Sequence, residues 1–297
     1  MKRPSWVCTL VTQMCLCFAL YVALNLGQPQ ESVYTDSRIR KSPDLYFVSV
    51  RGGSRPLKER IHLLKMMEKV VKTFNVRFVI NISELGEDDP LVHNVTLLFP
   101  ALKTPWYYTR VSSHGFGCFL EQIKLPQGKT LDAIILDTGW LQDSKLAGLS
   151  SSIEDSKLNR LARTLEATDS NWRIVIGFHP LFLCEENKEQ MEAKQMYKQL
   201  HHIFMKYGVN VYISRQGCKS NAQQDGIAYI GIPSLTEEEP YLAPAEGRSI
   251  FTEEMANGFL LHRVSLLKIV TYFVTSEGEV VNKIEVQQRV TGFAYSL

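Results

Sequence analysis

Three times along this chain a short, continuous apolar run gives way to a helix-spaced pattern, and that rhythm restricts the fold more than any other feature. Residues 45–50 (LYFVSV) run into Arg51-Gly52-Gly53, and behind Pro56 the residues Leu57, Ile61, Leu64, Met67, Val70 and Val71 recur at spacings of three and four. Residues 76–82 (VRFVINI) supply the next apolar run, completing a strand, helix, strand unit. The pattern returns in 131–137 (LDAIILD) with the amphipathic stretch 158–169. It returns again in 173–180 (RIVIGFHP), the long helical stretch 188–208 stopped at Gly208, and 209–214 (VNVYIS). Units of this kind form parallel sheets with right-handed crossovers. Beyond Pro240 the character changes, because 258–288 alternates and carries a Glu277-Gly278 turn, as an antiparallel meander does. Parallel units first and antiparallel strands last predict one α/β sandwich over residues 43–297.

Residues 6–26 (WVCTLVTQMCLCFALYVALNL) carry no charge and follow Lys2 and Arg3. As a helix rising 1.5 Å per residue this run covers about 30 Å, the thickness of a bilayer's hydrocarbon core. It is longer than a signal peptide's apolar region, and the ALNLGQ that follows is a poor cleavage site, so an uncleaved anchor is favoured. The expected organisation is a cytosolic tail (1–5), a signal-anchor transmembrane helix (6–26), a polar stem (27–42) and a lumenal domain (43–297). That describes a single-pass type II membrane protein of the secretory pathway, in the ER, Golgi or cell surface, or a secreted protein if the segment is cleaved. Two sequons, at Asn81 and Asn94, agree with a lumenal placement as glycosylation sites.

Charge and cysteine content exclude other classes. A net charge of +2 on 297 residues gives no basic surface for nucleic acid, so the membrane and an unknown protein or small molecule are the expected partners. Cys118, Cys184 and Cys218 are too few and too far apart for a disulfide framework or a Cys-x-x-Cys metal site. In an open α/β fold the reactive residues belong to loops at the carboxyl ends of strands. Among those loops Arg51-Gly52-Gly53-Ser54-Arg55 is a candidate anion site, because a glycine-rich turn before a helix start can hold an anion and two arginines flank it.

Local phrasing then points to a family. Residues 171–182 (NWRIVIGFHPLF), the helix after them and 206–214 (KYGVNVYIS) resemble the second half of the metallophosphoesterase (calcineurin-like phosphoesterase) fold, specifically the small purple acid phosphatases. Pro105-Trp106-Tyr107, Leu136-Asp137-Thr138 and Gly258-Phe259-Leu260 fit the same order, which runs from about residue 44 to 290. The resemblance implies a two-sheet sandwich with flanking helices and, in active members, two metals held by aspartates, a tyrosine, an asparagine and histidines. Here those positions are altered. Val50 stands where the first carboxylate belongs, Glu84 replaces an aspartate, and the tyrosine position holds Glu87. Ser113 replaces the asparagine while His114 persists, Phe178 replaces a liganding histidine, and Arg215-Gln216-Gly217-Cys218 replaces a Gly-His-x-His loop.

Valine, phenylalanine and glutamine cannot supply the donors that neighbouring divalent metals require. The expectation is therefore a membrane-anchored, purple acid phosphatase-like pseudoenzyme without cofactor, acting by binding. Two alternatives stand beside it. One is an active phosphoesterase with a single divalent metal, zinc, iron or manganese, rebuilt from Glu84, His114, Asp137 and His179. The other is a Golgi glycosyltransferase, whose topology matches but whose Asp-x-Asp motif this chain lacks.

Overall fold

The structure is a computed structural model that describes residues 13, 14, 16, 44–53, 55–99, 102–111, 117–125, 128–141, 151–181, 191–215, 222–232 and 258–288. The chain divides into two units, Met1–Ser42 and Pro43–Leu297. Of the first, residues 13, 14 and 16 are helical and exposed, and the rest of the 6–26 segment lies outside the described residues. No described helix is long and apolar enough to cross a membrane.

Among the described residues the second unit forms two six-stranded sheets. In the first, β1 (Leu45–Arg51), β2 (Val79–Ile82) and β3 (Trp106–Tyr108) run parallel. On the other side of β1 the antiparallel strands β10 (Phe259–Val264), β11 (Lys268–Val274) and β12 (Val280–Gln287) complete the sheet. In the second sheet β4 (Cys118–Lys124) pairs antiparallel with β5 (Thr130–Leu136) at one edge. Parallel strands β6 (Trp172–Gly177), β7 (Val211–Ser214) and β9 (Ile227–Gly231) follow, and β8 (Ala222–Gln224) closes the far edge.

Burial on two faces makes the central strands apolar throughout. Phe47, Ile80 and Ile82 of one sheet share a core with Ile135, Ile174, Ile176 and Ile213 of the other. The outer face of the first sheet, with Val48, Val50 and Val79, packs on Leu64, Met67 and Val71 of α1 (Leu57–Phe74) and on Leu91 and Val95 of α2 (Pro90–Leu98). Ile134, Val175 and Tyr212 on the outer face of the second sheet meet Leu161 and Leu165 of α3 (Ser151–Glu166) and Leu200 and Phe204 of α4 (Met191–Lys206). The layers run helix, sheet, sheet, helix. Helix α1 stops where Asn75 enters the left-handed region at φ 51° and donates its N–H to Val71, a helix-ending turn.

Four strands exceed the sequence expectation: β3, β4, β8 and β9. In β4 the side chains are half-buried or exposed, so it has no continuous apolar run to read. The β8–β9 turn does have a signature, Asp225-Gly226, with both residues at positive φ as a tight hairpin requires.

Three polar side chains, Ser49, His262 and Thr271, are sealed from solvent together. His262 has no exposed surface, stacks on Phe47 with ring centres 4.2 Å apart, and lies 2.7 Å from Ser49 Oγ and 2.8 Å from Thr271 Oγ1. Burial pushes its pKa down to about 3. The unfolded chain takes a proton on this ring near pH 6.5 while the folded chain refuses it, so stability is fully present above 6.5 and drains away as pH falls toward 3. The expected loss is about 5 kcal/mol over that window, at 1.4 kcal/mol per pH unit. Urea unfolding followed by tryptophan fluorescence between pH 4 and 7.5 measures it, and His262→Gln should flatten the slope. An unchanged slope in the variant contradicts this origin.

Candidate functional site

Asp89 organises the carboxyl ends of the first sheet's parallel strands. It has no exposed surface and caps α2, with Oδ1 accepting from Leu91 N at 2.8 Å ahead of Pro90. Its Oδ2 accepts from Gly53 N at 2.7 Å and from Ser83 Oγ at 2.5 Å, which ties the loop after β1 to the loop after β2. Ser83 is locked in turn to the segment after β3, because its N–H donates to Thr109 Oγ1 at 2.9 Å and its carbonyl accepts from that hydroxyl at 2.8 Å. Gly52 threads between these groups. A Cβ there would fall 2.5 Å from both Asn81 Oδ1 and Asp89 Oδ2, so no larger residue fits without displacing them.

Over this foundation sit three arginines. Arg55 donates from Nη1 to the Arg51 carbonyl at 2.7 Å, and burial lowers its pKa while Asp89 and Glu59 raise it. Arg215, directly after β7 of the second sheet, reaches Glu84 after β2 of the first at 3.1 Å. That ion pair bridges the two sheets at their strand ends. The Arg215 guanidinium also lies 5.0 Å over the ring of Phe178, and the backbone N–H of Arg215 donates to the Phe178 carbonyl at 3.2 Å. Arg51 is half-buried, and its pKa is pushed down to about 10, first by burial and then by repulsion from Arg215 and Arg55. Among the described residues its side chain has no hydrogen-bond or ion-pair partner.

The residues nominated from sequence are distributed as follows. Val50 lies in the apolar layer against α1 and offers no donor atom. Glu84 is the partner of Arg215. Asp137 Oδ1 accepts from Gly139 N at 2.9 Å. His179 Nδ1 lies 2.9 Å from Thr138 Oγ1, and its carbonyl accepts from Tyr212 Oη at 2.6 Å. Phe178 is buried beneath Arg215. Ser113, His114, Gln216 and Cys218 lie outside the described residues. Among the described residues no three His, Cys, Asp or Glu side chains converge as a metal site would require. The described donor set does not fit the metal pair the family resemblance implies, because Glu84 is ion-paired with Arg215 and the oxygens of Asp89 are taken by Gly53, Ser83 and Leu91.

The glycine turn and the two sequon residues have their polar groups placed as follows. The glycine turn does not aim its amides at an anion, since Gly52 N donates to the Ile82 carbonyl at 3.0 Å and Gly53 N to Asp89. Any anion site here belongs to the arginine side chains. The amide nitrogens of the two sequon residues, Asn81 on β2 and Asn94 on α2, are both buried.

No family model matches the sequence, and no curated protein matches it. Among solved structures the chain is similar to GAP50, the anchor in the inner membrane complex of Plasmodium. The TM-score is 0.59 at 18% identity, over 83% of this chain and 89% of that one. PhoD (TM-score 0.49, 8% identity, 82% and 68% covered) and a predicted phosphoesterase from Streptococcus pneumoniae (0.36, 12%, 82% and 98%) align more loosely, too loosely to add weight. At these identities the likeness concerns the fold alone. The mixed α/β architecture with two sheets fits a metallophosphoesterase-like sandwich.

Asp89→Ala should leave Ser83 Oγ, Gly53 N and Leu91 N without an acceptor and remove the α2 cap. The expected cost is about 2–4 kcal/mol in chemical unfolding. A loss below about 0.5 kcal/mol contradicts the role given to this carboxylate.

Proposed function

We propose that this chain is a membrane-anchored, phosphoesterase-like module that binds a partner or ligand in the secretory pathway and does not hydrolyse phosphate esters. The observation that carries this reading is the Arg215–Glu84 pair beside Arg51, which sets cations where a hydrolytic metal centre needs carboxylates and imidazoles. Hydroxide is generated at neutral pH by a metal that lowers the pKa of bound water, and an arginine-lined mouth disfavours that metal. That the Plasmodium structure with a similar fold is described as an anchor supports a binding role.

Turnover of an aryl phosphate by the purified protein between pH 4 and 8, with zinc, iron or manganese added in separate assays, tests the reading. Rates at the buffer background are expected throughout. Metal-dependent turnover that disappears with His179→Ala instead supports a rebuilt centre from Glu84, His114, Asp137 and His179.

The uncharged run at 6–26 supports the anchor. Alkaline carbonate extraction of membranes should leave the protein in the pellet, and deletion of residues 1–26 should release it. Full extraction of the intact chain contradicts the anchor.

A further inference from the structure

Among the described residues each sheet ends in two open edges, and the four edges differ. Strands β3 and β8 have three residues each, while β4 has seven and β12 eight. On β12, Val280 and Val281 are 56% and 42% exposed, apolar area that a partner strand would cover. The hydrogen-bond phase of this strand is fixed by Gln288, whose N–H donates to the Leu267 carbonyl at 2.8 Å. Bonded pairs recur at every second residue of an antiparallel ladder. Asn282, Ile284 and Val286 therefore turn their backbone groups to β11, while Lys283, Glu285 and Gln287 turn theirs to the open edge. Accordingly the Lys283 N–H reaches no strand and donates to the side-chain oxygen of the adjacent Asn282 at 2.7 Å. A cavity of about 210 Å³ opens beside the strand, between Lys283, Ile284 and Glu285 of β12 and Ala228 and Ile230 of β9.

Charge decides what such an edge accepts. In an antiparallel pair, residues directly opposite each other share one face of the sheet. Lys283 and Glu285 lie on one face, where Lys283 Nζ is 3.6 Å and Lys268 Nζ 3.2 Å from the Glu285 carboxylate. A second copy of β12, related by a two-fold axis at Ile284, sets Lys283 opposite the partner's Glu285 and Glu285 opposite the partner's Lys283. In that register Lys283 and Glu285 form the hydrogen-bonded pairs that their outward backbone groups require, and the two Ile284 side chains meet at the closer, non-bonded position. Moving the axis to a neighbouring residue puts Lys283 against Lys283 or Glu285 against Glu285, so the charges select one register. Strand β4 has no such complement, because its two charges, Glu121 and Lys124, lie on opposite faces and cannot stand directly opposite across a two-fold axis. We propose that two copies of this chain associate through β12, joining their first sheets into one continuous sheet about a two-fold axis at Ile284. The pairing uses a sheet edge and not the strand-end mouth, so it is independent of the binding role proposed above.

Sedimentation equilibrium of the full chain in density-matched detergent tests this association, and a monomer–dimer equilibrium is expected for the wild type. Lys283→Glu and Glu285→Lys, made singly, each place two like-charge pairs across the axis and should weaken the dimer by about tenfold or more. Mixed in equal amounts, the two variants should pair with each other at wild-type strength, because one supplies two acids and the other two bases at the facing positions. Recovery on mixing also shows that both variants are folded, which separates a lost contact from lost structure. A chain that stays monomeric up to about 0.1 mM, a range where weak dimers register, overturns the proposal. A dimer that neither single variant weakens overturns it too, since the contact then lies elsewhere. Weakening by the single variants with no recovery on mixing overturns the register at Ile284, and with it the β12 pairing.

Discussion

A carboxylate sealed from water survives only where its oxygens are filled, and Asp89 meets that condition by drawing in the loops after two strands and the start of a helix. Its contacts fix Gly52 and Gly53, and therefore the departure of Arg51 and Arg55 from the end of β1. The reciprocal Ser83–Thr109 pair extends the same order to β3. On the opposite sheet the turn at Thr138 plays a comparable part, its hydroxyl accepting from the N–H groups of Phe178 and His179 at 3.2 and 3.1 Å. Two ordered rims thus face each other, and the Arg215–Glu84 pair crosses between them.

The electrostatics of that mouth run against the metal chemistry that the family resemblance in the sequence implies. A divalent ion about 8 Å from a single guanidinium is disfavoured by about 4 kcal/mol at an effective dielectric constant near 20, and three guanidinium groups share this region. The same field favours an anion. Val50 and Phe178 add apolar packing at two strand ends, one against α1 and one beneath Arg215.

Much of the fold was legible because central strands buried on both faces leave continuous apolar runs, as at 45–50 and 173–177, and because α1 and α4 keep helical spacing. The edge strand β4 escaped, since its half-exposed side chains carry no such run, and the Asp225-Gly226 hairpin was missed although its turn signal was present. At the site, the apolar character of Val50 and Phe178 could be read directly from residue type. Asp89 could not be singled out by that reasoning, although Asp-Pro ahead of an apolar stretch is a helix-start signal. The partnership of Arg215 with Glu84 joins residues 131 positions apart, which no local pattern encodes. Burial of Asn81 and Asn94 likewise depends on what packs over β2 and α2 and not on the tripeptides themselves.

The sharpest test of an arginine mouth in place of a metal centre is the metal content of the purified full chain, measured by inductively coupled plasma mass spectrometry after dialysis against metal-free buffer. The expected result is zinc, iron and manganese far below stoichiometry. A transition metal retained at one ion per chain, and released only by a strong chelator, would contradict it.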